Sequence, residues 1–207
     1  MHDDIAYEAL ADAFAFIGNS FLMPPTQTSD VGLEPEFWES FPDFGSAEVA
    51  KALDGLTAWA RRGSKDGASR NGRATDVAVE FTRLFMGPPQ PLAPPWETMN
   101  RGEGVTVGFG EATFEMRRLL REAGFQLAQE GRQYEDHFGI ELFYLSELCR
   151  RAAISGDGAQ ETEAIAAFAA AHPLGWVDEF AARMDEACPE GYYVRLVALA
   201  RALLGMI

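Results

Sequence analysis

Three polar residues near the middle of the sequence have side chains that could do chemistry. Asp136 and His137 are adjacent, and Glu141 follows His137 by one helical turn. Residues four apart share a helix face, so His137 and Glu141 could hold a metal ion together, and an Asp–His couple could serve as a general base. A zinc site, however, needs three or four protein ligands, and the sequence has only 3 histidines and no HExxH or CxxC motif. The residues alone therefore favour a structural interpretation, in which Asp136 caps a helix and His137 bonds to a neighbouring loop.

A proline-rich stretch is the second notable feature of the sequence. Residues 80–99 read EFTRLFMGPPQPLAPPWETM, and the apolar spacing at the start of this stretch predicts a helix that ends before Gly87. The loop 87–95 then leads directly to Trp96. Two interpretations of Trp96 stay open: it is a core residue behind a rigid crossover, or it belongs to a ligand-binding loop.

The rest of the chain has helical periodicity. Apolar residues recur at steps of three and four, and strand-like alternation is nowhere sustained. We therefore predict an all-α fold, a single helical bundle of about eight helices in which the proline-rich loop follows the central helix. We expect one domain over residues 1–207, with a flexible exposed loop at the Gly- and Ser-rich residues 63–72. Besides the helix before Gly87, helices are predicted at residues 3–21, from 47 onward, and at 111–122, 135–153, 159–171, 174–187 and 190–205.

Composition and charge exclude several classes of protein. Hydrophobic residues make up 47% of the 207 residues, enough to bury a core. The formal charge of −15 argues against binding a nucleic-acid backbone, which needs a basic face. No apolar run approaches the ~18 residues of a membrane span, and the acidic opening MHDDIAYEAL lacks the features of a secretory signal. We expect a cytoplasmic protein in which Cys149 and Cys188, the only cysteines, are free thiols.

Two segments of the sequence resemble the motifs of a known family. LFMGPPQPLAPPW, residues 84–96, and EDHFG, residues 135–139, are similar to the Leu-Phe-x-Gly-Pro, Pro-Pro-Trp and Asp-His elements of the TorD/DmsD/NarJ family of redox-enzyme maturation chaperones. The similarity is dense from about residue 77 to residue 150. The chain departs from the family pattern at Tyr134, where a proline is frequent, and at Asn100, where an aromatic residue is frequent; we expect both at the rim of the site.

The resemblance implies a non-catalytic cytoplasmic chaperone without a cofactor or metal of its own. Its partner would be the catalytic subunit, both twin-arginine leader and body, of a molybdopterin-containing oxidoreductase of the dimethyl sulfoxide reductase type. Holding the leader would delay export until the cofactor is inserted. The resemblance also implies a peptide site with an apolar wall and a polar edge, formed respectively by Leu84, Phe85, Pro95 and Trp96, and by Asp136 and His137.

Two other functions stay open on the residues alone. One is a small helical hydrolase or metal-dependent enzyme that uses Asp136, His137 and Glu141. The other is a generic helical protein-interaction domain in which the Trp96 loop is only structural.

Overall fold

The computed structural model describes residues 7–65, 69–87, 89–102, 105, 108–125, 133–155 and 158–207. Across these ranges the regular elements are helices, and the only extended pairing is an isolated bridge between Trp96 and His137. The all-α prediction is confirmed. None of the helices in the described ranges combines the length and the apolar character needed to cross a bilayer.

The helices of the described ranges are numbered in chain order. They are α1 (Tyr7–Leu22), α2 (Pro35–Glu39), α3 (Ala47–Lys65), α4 (Arg70–Phe81), α5 (Glu97–Asn100), α6 (Glu111–Glu122), α7 (Phe138–Ile154), α8 (Gly158–Ala171), α9 (Val177–Ala187) and α10 (Tyr192–Leu204). Within the described ranges, 3-10 turns lie at Val31–Leu33 and Pro173–Gly175, and a π-helix at Thr82–Met86 continues α4.

The chain divides into two compact units, each assembled from separate stretches of sequence. The first unit comprises Met23–Ala93 and Ala181–Ile207. Among the described residues, the second unit comprises residues 7–22 and Pro94–Phe180. That residues 1–207 form a single domain stays a prediction.

In the first unit, α3 packs against α2 and α10. Trp38 is fully buried and its indole N–H donates to the carbonyl of Gly32 at 2.7 Å. The ring of Trp59 on α3 lies 5.1 Å from the ring of Tyr192 on α10. The contact between Trp59 and Tyr192 joins two helices that are far apart in sequence.

In the second unit, α1 lies along α7. Gly18 and Gly139 face each other at the crossing, because a Cβ built on Gly139 would stand only 2.5 Å from the carbonyl oxygen of Gly18. The rings of Phe21, Phe138 and Phe180 meet beside this crossing at centroid distances of 5.1 to 5.8 Å. The buried face of α7 consists of Phe138, Leu142, Leu145, Cys149 and Ala152.

The predicted loop 63–72 was too long at both ends. Helix α3 continues to Lys65 and α4 begins at Arg70, so only a short connection separates them. The helix start is fixed by Ser69, whose hydroxyl accepts a hydrogen bond from the backbone N–H of Gly72 at 3.1 Å. Residues 66–68 lie outside the described residues.

Two other helix starts differ from the predictions. Helix α7 begins at Phe138 and not at residue 135, because His137 is its N-cap. The helix predicted over 174–187 opens with the 3-10 turn Pro173–Gly175, and α9 itself begins at Val177.

Candidate functional site

A two-residue antiparallel bridge joins the Pro-Pro-Trp segment to the Asp-His segment. The backbone N–H of Glu97 donates to the carbonyl of Asp136 at 2.9 Å, and the N–H of Phe138 donates to the carbonyl of Pro95 at 2.8 Å. Trp96 and His137 face each other across this bridge. Main-chain hydrogen bonds therefore hold together two segments of the second unit that are about forty residues apart in sequence.

Asp136 is fully buried and its carboxylate accepts three hydrogen bonds. The donors are the backbone N–H of Thr98 at 2.9 Å, the Thr98 hydroxyl at 2.6 Å and the Thr113 hydroxyl at 3.1 Å. Burial raises the pKa of Asp136, and the hydrogen bonds from Thr98 and Thr113 oppose that rise. Asp136 does act at a helix start, as predicted from composition, but the helix is α5, which follows Trp96, and not α7.

His137 is buried and caps α7. Its Nδ1 accepts a hydrogen bond from the backbone N–H of Gly139 at 3.0 Å, so this nitrogen carries no proton. Burial lowers the pKa of His137 to about 3, so the ring is neutral at physiological pH. The interpretation in which His137 bonds a neighbouring loop was wrong for this nitrogen, since its partner is the first turn of the helix that His137 itself begins.

Trp96 is half-buried and is held at three points. Its indole N–H donates to the side-chain oxygen of Gln133 at 3.0 Å, and its ring lies 6.1 Å from the rings of Tyr134 and His137. Its carbonyl accepts a hydrogen bond from the amide of Asn100 at 2.8 Å. The indole therefore keeps an exposed portion in a fixed orientation.

Asn100 lies inside the second unit and not at a rim. Its side chain is buried, and its amide nitrogen donates to the carbonyls of Pro94 and Trp96, both at 2.8 Å. An aromatic side chain at this position could not donate these hydrogen bonds to the two carbonyls. The departure from the family pattern at Asn100 therefore stabilises the backbone around Trp96.

Leu84 and Phe85 lie in the π-helix of the first unit, where both are buried. Phe85 packs edge-on against Phe81 and Tyr193, with ring centroids 5.2 and 5.0 Å away. The helix ends at Gly87, whose φ of +80° and ψ of −173° form a backbone conformation that glycine adopts readily and other residues rarely do. The proline-rich segment then folds back.

A hydrogen bond from the N–H of Ala93 to the carbonyl of Leu84, at 2.8 Å, holds the returning segment. Of the predicted site residues, Pro95, Trp96, Asp136 and His137 come together in the second unit, while Leu84 and Phe85 are core residues of the first. Pro88 lies outside the described residues.

The second unit also contains a buried polar cluster that the sequence did not reveal. It consists of Glu97, the residue after Trp96, together with Glu141 and His172. Glu97 pairs with Arg101 at 2.7 Å and with His172 Nδ1 at 2.9 Å. Glu141 accepts a hydrogen bond from the indole N–H of Trp176 at 3.1 Å, and its other oxygen has no hydrogen-bond partner among the residues that the structure describes. Burial, with Glu97 alongside, raises the pKa of Glu141 well above its usual range.

The cluster also bears on the metal-enzyme alternative. Glu97, Glu141 and His172 offer ligand atoms within 4.8 Å of one another, a donor set that suits a divalent cation. Asp136 and His137 are committed elsewhere, to Thr98 and to the start of α7. The three residues Asp136, His137 and Glu141 therefore do not share one centre, and the i, i+4 pairing of His137 with Glu141 is not used.

Comparison with known proteins gives two kinds of match. The family model described as nitrate reductase delta subunit matches residues 45–182. The chain is 28% identical over 139 residues to the chaperone protein TorD of Vibrio cholerae, covering 66% of this chain and 62% of that protein. It is 30% identical over 124 residues to the Tat proofreading chaperone DmsD of Salmonella typhimurium, covering 60% of this chain and 56% of that protein. The chain thus spans less than two thirds of the length of these relatives.

Proposed function

The chain belongs to the nitrate reductase delta subunit family, and we propose that it is a chaperone for the maturation of a redox enzyme. Its client would be the catalytic subunit of a molybdopterin-containing oxidoreductase of the dimethyl sulfoxide reductase type. In the cytoplasm, it would bind the subunit's twin-arginine leader and part of its body, without catalysing a reaction. Release of the leader after cofactor insertion would then permit export.

The observation that carries this proposal is the bridge between the two family motifs. It leaves Trp96 partly exposed while its backbone, its indole N–H and its neighbour Thr98 are all fixed. A rigid, partly exposed indole loses little conformational entropy when a partner binds, and Trp is enriched among the residues that dominate binding energy. The position suits an apolar side chain of a bound peptide.

The remaining predicted site residues would act with Trp96 in peptide binding. Asp136 and His137 are buried with their polar atoms engaged, so they would serve mainly by holding Trp96 and α5 in place. Pro95 would fix the entry of the chain into Trp96, since proline restricts the backbone. Leu84 and Phe85 would contribute through the packing of the segment that leads into the proline-rich loop.

Acidity supports a cationic ligand. The formal charge of −15 favours approach of a peptide that carries paired arginines. A leader of this kind also has an apolar segment, so a binding site for it needs both an acidic environment and exposed aromatic surface.

Calorimetric titration with synthetic twin-arginine leaders from candidate molybdoenzymes tests the proposal. We expect micromolar or tighter binding, about −8 kcal/mol, and a loss of about 2 kcal/mol, roughly 30-fold, in Trp96→Ala. Trp59→Ala is the matched control, because Trp59 is also half-buried but lies on α3 in the first unit. Circular dichroism would establish that both variants are folded. Failure of the unaltered chain to bind any leader would overturn the leader-binding proposal.

A further inference from the structure

Four aromatic rings form a continuous row in the second unit. Trp96 lies 6.1 Å from Tyr134, Tyr134 lies 5.6 Å from Phe109, and Phe109 lies 4.9 Å from Phe114. We call these four residues the aromatic row. They come from three parts of the chain, namely the Pro-Pro-Trp segment, the residue before the acidic motif, and residues 109–114, which lead into the first turn of α6.

The aromatic row is open to solvent along most of its length. Phe114 is 56% exposed, and Phe109 and Tyr134 are each 40% exposed. Single exposed apolar residues are ordinary on a protein surface, but adjoining large aromatic side chains are typical of a binding surface. Exposure of these apolar rings to water is unfavourable, so covering them with apolar side chains of a ligand would lower the free energy.

The charges around the row favour a cationic ligand. Arg117 stacks over Phe109 and Phe114, at 5.8 and 5.9 Å from their ring centroids, but it is neutralised by a two-point ion pair with Glu135 at 2.6 and 3.0 Å. On the exposed face of α6, Phe114 stands between Glu111 and Glu115.

Neither of these two glutamates has an ion-pair partner among the residues that the structure describes. The exposed side of the row is therefore aromatic in its centre and acidic beside Phe114. This combination is complementary to a peptide that has an apolar segment and adjoining positive charges.

We propose that the aromatic row is the docking surface for the apolar segment of the client leader, and that Glu111 and Glu115 face the leader's arginines. This inference rests on the proposed leader-binding function and extends its site from Trp96 to Tyr134, Phe109 and Phe114. The apolar side chains of the leader pack on the four rings, which lose their contact with water. The two glutamates attract the arginines across a short, solvent-exposed distance.

Titration of a synthetic leader into the full chain and into Phe109→Ser and Phe114→Ser tests the surface. Because both rings are well exposed, the substitutions leave the fold intact, which urea unfolding of each variant checks. We expect each variant to bind the intact leader at least about fivefold more weakly. The matched control is Ile154→Ser, which removes an 87% exposed apolar side chain from the end of α7 in the same unit and leaves the affinity unchanged.

A second leader, with its apolar segment replaced by serines, separates docking on the row from indirect effects. The unaltered chain and Phe114→Ser should bind this second leader equally, because the contact that Phe114 supplies is absent in both. For the charged side, Glu111→Gln with Glu115→Gln should reduce the salt dependence of binding the intact leader. A lysine-free, arginine-free leader should show no difference between this double variant and the unaltered chain.

The outcomes distinguish this inference from the proposed function. If Trp96→Ala loses affinity while Phe109→Ser and Phe114→Ser bind the intact leader as the unaltered chain does, the aromatic row is overturned and the leader-binding function stands. If Phe114→Ser weakened binding of the serine-substituted leader as much as binding of the intact leader, the aromatic row would also be overturned as the site of the apolar segment. If the unaltered chain binds no leader, both are overturned together.

Discussion

Thr98 donates both its backbone N–H and its hydroxyl to one oxygen of Asp136, at 2.9 and 2.6 Å. Thr113, from α6, donates its hydroxyl to the other oxygen at 3.1 Å. Because Thr98 stands two residues after Trp96, the buried carboxylate of Asp136 determines where the chain goes immediately after the indole. The acidic residue of the second motif thus fixes the aromatic residue of the first.

Asp136→Ala should destabilise the protein and weaken leader binding. Removing the carboxylate leaves the Thr98 N–H and two hydroxyls without their acceptor inside the second unit, which costs about 2–4 kcal/mol of unfolding free energy. The free energy of unfolding is measured by urea titration, and leader affinity by calorimetry under conditions where the variant is folded.

Asp136→Asn refines this test, since its carbonyl oxygen still accepts from Thr98. We expect a smaller loss of unfolding free energy, about 1–2 kcal/mol, because one acceptor oxygen is replaced by an NH₂ group, which is a donor. Asp54→Ala, at an exposed position on α3, should change the unfolding free energy by no more than about 0.5 kcal/mol. A similarly small change in Asp136→Ala would show that the three hydrogen bonds contribute little.

Glu141 should make the protein less stable as the pH rises. Its pKa in the folded chain is raised above the ordinary value of 4.5, by burial first and by Glu97 second. At a pH between the ordinary pKa, which applies to the unfolded chain, and the raised pKa of the folded chain, Glu141 has lost its proton in the unfolded chain but keeps it in the folded chain. The folded state therefore binds more protons. The free energy of unfolding therefore falls with rising pH above about 4.5, by at most about 1.4 kcal/mol per pH unit, and levels off above the folded pKa.

The measurement is urea unfolding from pH 5 to pH 8 on the unaltered chain and on Glu141→Gln. Glutamine cannot ionise, so the variant should lack this part of the pH dependence while still accepting from Trp176. The comparison is made as a difference because burial also raises the pKa of Glu80 and of Asp136. Identical pH profiles for the two proteins would contradict the assignment to Glu141.

Glu80 should be a stability residue and not part of the peptide site. Its carboxylate accepts hydrogen bonds from the backbone N–H groups of Tyr192 and Tyr193, at 3.0 and 2.8 Å, and so caps the start of α10, whose N-cap is a glycine. Glu80→Ala should lower the free energy of unfolding by about 2 kcal/mol and leave leader affinity unchanged.

Thermal or urea unfolding measures this loss, with Asp76→Ala as the matched control. Asp76 is an exposed acidic residue one turn earlier on the same helix, α4, so its removal alters the net charge equally but breaks no cap. The cap explanation predicts a large loss for Glu80→Ala alone. Equal losses in both variants would instead indicate an effect of charge.

Local sequence patterns predicted the helices well because each helix carries its own signal. Helix α6 was predicted over residues 111–122 and occurs as Glu111–Glu122, since its apolar spacing is regular and Gly110 and Gly124 flank it. The helix before Gly87 ends there as predicted, because this prediction depends only on the backbone conformation that Gly87 itself can adopt. Fold class and helix order follow from such local signals.

The candidate site was less predictable because its contacts are distant in sequence. Asp136 was expected at the start of the helix that follows it, but its partners are Thr98 and Thr113, on helices that precede it. His172 and Glu97 form a buried pair although 75 residues separate them, and no local spacing indicates such a pair. Only the assembled second unit brings these side chains together.

The glycine of the second motif gives the last prediction. Gly139 lies in α7 where α1 crosses it, and a Cβ there would stand 2.5 Å from the carbonyl oxygen of Gly18 and 2.8 Å from Cγ of Leu22. A methyl group must therefore push the two helices apart, because the nearest atom belongs to the backbone and cannot move alone. Gly139→Ala should lower the free energy of unfolding by about 2–3 kcal/mol, measured by urea titration.

Gly55→Ala is the matched control for this substitution. Gly55 also lies within a helix, α3, but a Cβ there meets nothing within 4 Å. Alanine is the better helix former, so Gly55→Ala should raise the free energy of unfolding by about 0.5–1 kcal/mol. Opposite signs for the two substitutions would show that close approach of α1 and α7, and not helix propensity, requires a glycine at position 139. Stabilisation by Gly139→Ala would mean that the helices separate at no cost.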